Sequence, residues 1–154
     1  MMINSFHPGL LMILVGALIL VLPDRFKKPC SIVAAASGIL GLFTLNNSSH
    51  LVYRITPDIK LQMIHVDRLS MIFVIIFSII MVINSVYSFD IQDKWEKGIS
   101  VIYGGSIIAA TLAGDIITMI VFWEVAAFSA AYLIYAKHTR RSSRSALRYL
   151  LMHA

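Results

Sequence analysis

The sequence predicts an all-α integral membrane protein with about five transmembrane helices, the start of a sixth, and its N-terminus outside. Three observations carry this. The 154-residue chain is 58% hydrophobic and only 14% charged, with a mean hydropathy of +0.81. Soluble domains run at about 45–50% apolar and about 25% charged. The apolar residues fall into runs of sixteen to twenty-one, lengths that approach or cross a hydrocarbon core of roughly 30 Å at about 1.5 Å per residue. Thirdly, the basic residues between the runs are unevenly shared. With the N-terminus outside, the inner loops hold Arg25, Lys27, Lys28, Lys94, Lys97, Lys137, Arg140, Arg141, Arg144 and Arg148, against Arg54, Lys60 and Arg68 outside. Ten against three is a clear positive-inside bias.

The spans are expected at about residues 7–22, 30–45, 69–89, 98–113 and 116–136, with a partial sixth helix at 146–154. The first lacks the basic leader of a secretory signal, since residues 1–6 carry no Lys or Arg. Pro23 and Pro29 bracket the turn after it. The second carries Ala34 and Gly38, and Ser37 and Gly41, at the spacing that lets membrane helices approach closely. Residues 51–67 alternate apolar and polar side chains around Pro57, which fits either a short extramembrane hairpin or an irregular loop. His50 and His65, fifteen residues apart without nearby partners, read as surface residues and not as metal ligands. The third span is rich in Ile and Val, but its length exceeds any usual strand, and a lipid-exposed strand edge would be unsatisfied. Asp67 or Ser70 can cap it, and Asn84 inside it is expected to bond to another helix. Trp95 suits an interfacial anchor. Gly105, Ala109 and Ala113 form a second small-residue stripe in the fourth span.

Gly114-Asp115 makes a tight turn into the fifth span, with Asp115 as its N-cap. Nine residues on, close to the middle of the helix, stands Glu124. A carboxylate at that depth costs about 2.5–3.5 kcal/mol on insertion scales, so its default role is in moving an ion or proton. The alternative is a protonated, hydrogen-bonded structural contact. Asp115 reads first as a cap and second as an ion-binding group, and Asp67 is the remaining candidate carboxylate. The arginines of 140–148 read as an orientation signal and interfacial anchor, with anionic headgroup binding a secondary role.

The whole chain forms one membrane domain, with no room for a separate soluble one, placed as a multi-pass protein of the cell membrane with the lipid bilayer as partner. A net charge of +5 calls for no nucleic acid, because the basic residues lie between apolar runs. Cys30, the sole cysteine, excludes an intrachain disulfide and a cysteine-cluster metal site. No Gly-x-Gly-x-x-Gly stretch opens a helix and no paired transmembrane histidines are present, so no redox cofactor or metal is expected.

Val66-Asp67-Arg68-Leu69-Ser70, then Gly114-Asp115 followed by Phe122-Trp123-Glu124, then Arg148-Tyr149-Leu150-Leu151-Met152-His153-Ala154 form a combined pattern. It resembles the antiporter-like membrane subunits shared by Mrp-type multisubunit sodium/proton antiporters and respiratory complex I, with the D-type member of the Mrp antiporter the nearest. The resemblance runs the length of the chain and covers the first third of that larger fold. It implies that Glu124 is the fifth-helix glutamate of the family's ion path, modulated there by lysines on later helices that have no counterpart here. The expected function is a transporter-type component of a monovalent cation (Na+)/proton antiporter, not an enzyme in itself, working with other antiporter or complex I-like subunits. Its expected ions are H+ and, as a second candidate, Na+, moved in the family's manner. The alternatives are a proton-translocating subunit of a complex I-like oxidoreductase or hydrogenase, and a truncated, non-transporting structural remnant.

Overall fold

The computed structural model describes residues 7–22, 33, 36, 38, 39, 45, 50–54, 60–88, 91 and 93–153. Its elements run α1 (Pro8–Val21), β1 (His50–Arg54), β2 (Lys60–His65), α2 (Arg68–Tyr87), α3 (Lys94–Leu112), α4 (Ile116–Tyr135) and α5 (Arg140–His153).

The expectation of about five spanning helices is corrected to two among the described residues. Only α2 and α4, each 20 residues, are both long and apolar enough to cross a membrane. At about 1.5 Å per residue each reaches roughly 30 Å. Little of either apolar window is buried against the rest of the protein, 22% in α2 and 28% in α4, which sets them apart from the core helices of a soluble fold. The other helices fall short for different reasons. α1 has 14 residues, roughly 21 Å of helix. α3 has 19, but opens on Lys94, Glu96 and Lys97. α5 has 14, four of them arginine. The expected span at 30–45 lies outside the described residues, apart from positions 33, 36, 38, 39 and 45.

Capping explains where the helices start. Asp67 accepts from the Ser70 N–H at 2.6 Å while the Ser70 hydroxyl accepts from the Asp67 N–H at 2.9 Å, a capping box that opens α2. Asp93 accepts from the Trp95 N–H and starts α3 four residues before the expected position. Thr139 and Ser142 exchange reciprocal backbone-to-hydroxyl bonds, each 3.0 Å. They begin α5 at Arg140 and not at residue 146, where its apolar pattern begins. Immediately before that cap, His138 takes a left-handed conformation (φ 48°) that turns the chain back along α4.

β1 and β2 pair antiparallel as a hairpin, with His50 opposite His65. α3 is the central helix, packed on α1, α2, α4 and β2. Against α1 it runs antiparallel and very close. A Cβ on Gly16 would lie 2.9 Å from the Gly98 carbonyl oxygen, and the glycine-to-glycine contact recurs seven residues away on each helix, between Gly9 and Gly105. Small residues let the two backbones meet where no side chain fits. Met12, Ile64, Val74, Ile108 and Leu112 are fully buried where α1, β2, α2 and α3 converge. Asn84 of α2 donates to the Ser100 hydroxyl of α3 at 2.6 Å, supplying the interhelical bond its sequence position suggests.

Candidate functional site

α4 and α5 are antiparallel neighbours, joined by a short turn through residues 136–139. Small and aromatic residues set their spacing. Phe128, Ala131, Tyr132 and Tyr135 of α4 face Ser143, Ala146, Leu147 and Leu150 of α5 across an apolar groove of about 440 Å³. Farther from the turn, Tyr103 and Ile107 of α3 join Trp123, Ala126, Ala127, Tyr149 and His153 around a second cleft of about 320 Å³. There the His153 ring stacks on Tyr149 (centroids 4.7 Å apart, 23° between planes) and on Trp123 (5.9 Å, 18°).

Glu124 sits next to Trp123, half-buried, nine residues from the cap that starts α4. That is roughly 13 Å along a helix about 30 Å long. Its carboxylate makes no hydrogen bond or ion pair with any described residue. α4 places it one turn before Phe128, because positions 124, 128, 131 and 135 share one face of a helix.

The other two candidate carboxylates lie at the ends of helices. Asp115 is half-buried and accepts three bonds at the start of α4: from the Thr118 N–H (2.8 Å), the Thr118 hydroxyl (2.6 Å) and the Gln62 N–H of β2 (2.6 Å). Partial burial pushes its carboxyl upward, yet the bonds from Thr118 and Gln62 outweigh that and hold it below the usual carboxylate value. Asp67 is exposed; the Ser70 N–H and hydroxyl hold its carboxyl below the usual value as well. Both carboxylates are committed to backbone N–H groups, and neither adjoins Glu124.

Sequence reasoning passed over two histidines. His7 caps α1, accepting from the Leu10 N–H at Nδ1, while its Nε2 lies 3.2 Å from the Met63 carbonyl and its ring packs on Phe122 at 5.8 Å. Burial drives its pKa from 6.5 down to about 4, against the opposing effect of the Met63 bond. His153 escaped notice because it falls at the end of a run read for its leucines. The signal was its position four residues after Tyr149, which puts both rings on one helix face. Among the described residues no group of three or more His, Cys, Asp or Glu is placed to hold a metal. On α5, Arg140, Arg141, Arg144 and Arg148 line a separate cleft away from α4.

No known family model matches the chain, and no curated protein matches it.

Proposed function

We propose that the chain is a membrane component of a monovalent cation/proton antiporter, with Glu124 as the ion-coupling carboxylate. The observation that carries this is an ionisable side chain midway along α4, one of the two helices among the described residues able to cross a membrane, with no partner among those residues. Such a group is costly in hydrocarbon and adds nothing to spanning, so it belongs to a path for charge. The likeness of Gly114-Asp115, Phe122-Trp123-Glu124 and Arg148-Tyr149 to antiporter-like subunits supports the same reading and supplies its ions, H+ and Na+, and its partners, further subunits of that class. The lipid bilayer meets the exposed apolar faces of α2 and α4, where Ile72, Ile79, Ile83, Ile120 and Val121 stand open.

The test is Glu124→Gln in proteoliposomes holding the chain with its co-purifying subunits. Loss of Na+-driven proton movement, with assembly intact, supports the reading. Unchanged flux reduces Glu124 to a packing residue and removes the coupling role. Quinone-dependent electron transfer in the same preparation would assign the chain to a complex I-like assembly instead.

A further inference from the structure

Two titratable groups stand one helical step beyond the residues that line the α4–α5 groove. On α4, Phe128, Ala131 and Tyr135 line it, and one helical step beyond Phe128 on the same face stands Glu124. On α5, Ser143, Ala146 and Leu150 line it, and one step beyond Leu150 stands His153. The helices are antiparallel, so both steps lead away from the 136–139 turn to the same end. The contact of His153 with Trp123, the residue before Glu124, fixes their common level.

We propose that His153 is the proton-exchange partner of Glu124. This rests on the reading of Glu124 as an ion-coupling residue and goes further, by naming a partner within this chain. Histidine gains and loses a proton near neutral pH. The His153 ring stacks on Trp123 and Tyr149, which hold it at the level of Glu124. In the exchange an imidazolium N–H bond breaks and a Glu124 O–H bond forms, leaving a neutral ring and a neutral acid with no net change of charge. The cleft that His153 lines holds two other titratable groups, Tyr103 of α3 and Tyr149 of α5, while Glu124 lies outside that lining, next to Trp123. Arg148, nearest in sequence, belongs to the separate arginine cleft. No hydrogen bond joins Glu124 and His153 in this arrangement, so the exchange needs a side-chain rotation or a bridging water.

The test is the titration of the His153 imidazole by NMR, in the full chain in lipid nanodiscs, with its resonance assigned by His153→Gln. Glu124→Gln is expected to lower the His153 midpoint by about 1 pH unit, the size of effect a close opposite charge produces. An unmoved midpoint overturns the pairing, whatever the transport result. Conversely, a shifted midpoint with unchanged ion flux in Glu124→Gln keeps the pair and removes the transport function it was assigned to.

Discussion

Gly9 of α1 and Gly105 of α3 meet backbone to backbone: a Cβ on Gly9 would lie 2.6 Å from the Gly105 carbonyl oxygen, and one on Gly105 would lie 2.9 Å from that of Gly9. Neither helix can yield by turning a side chain, because the obstructing atoms are main chain or the Cβ atoms of Met12 and Ala109, which no side-chain rotation moves. Gly105→Val is therefore expected to push α1 away and to destabilise by about 1–3 kcal/mol, the usual range for overpacking. Thermal unfolding in detergent measures the loss. Gly38→Ala is the contrasting control, since its added Cβ would meet only side-chain atoms, none nearer than 3.5 Å.

Asp115 joins two parts of the chain more than fifty residues apart through its bond from the Gln62 N–H. Asp115→Ala removes the α4 cap and that bond together, and is expected to cost about 1–3 kcal/mol. Amide exchange at Gln62 should speed up markedly in this variant. Asp115→Asn keeps acceptor capacity and should recover much of the protection.

His7 predicts a pH dependence of stability. Its folded pKa, about 4, lies below the ordinary value of 6.5, so the unfolded chain binds the proton more tightly than the folded one. Stability from this group is full above about pH 6.5, declines as pH falls toward 4, and levels off below that. The total is on the order of 3 kcal/mol. Unfolding temperatures measured between pH 7.5 and 4 should fall in the wild-type protein and fall less in His7→Gln. Parallel curves for the two proteins would remove His7 as the cause.

Asn84→Leu tests the α2–α3 bond. Removing its 2.6 Å contact with the Ser100 hydroxyl is expected to cost about 0.5–1.5 kcal/mol, the usual net contribution of one hydrogen bond. The double variant with Ser100→Ala should lose little more than Asn84→Leu alone, because both changes delete one interaction.

Local chemistry was legible in the sequence wherever it acts over a few residues. Asp67, Ser70 and Asp115 cap the helices that follow them, Asn84 crosses to α3, and Gly105 and Ala109 meet the α1 backbone. The number of spanning helices was not legible. An apolar run records composition, whereas spanning also requires helix length and freedom from charge, and both were settled by caps. Asp93 draws Lys94, Glu96 and Lys97 into α3, and the Leu22 cap ends α1 after 14 residues. The hairpin stayed undecided because its alternating pattern suits strand and loop equally. The neighbourhood of His153 depends on the antiparallel match of α4 with α5, which no single helix reveals.

The link between the hairpin and the α3–α4 turn also constrains the order in which the protein is assembled. Gln62 donates to Asp115 and its carbonyl accepts from the Gly114 N–H at 2.8 Å. Gln62 is synthesised some fifty residues before either partner. The hairpin is therefore made before α2 and α3, and these two bonds form only when the Gly114-Asp115 turn follows. The two hydrogen bonds thus close the hairpin onto the helices late in synthesis, after α2 and α3 have been made.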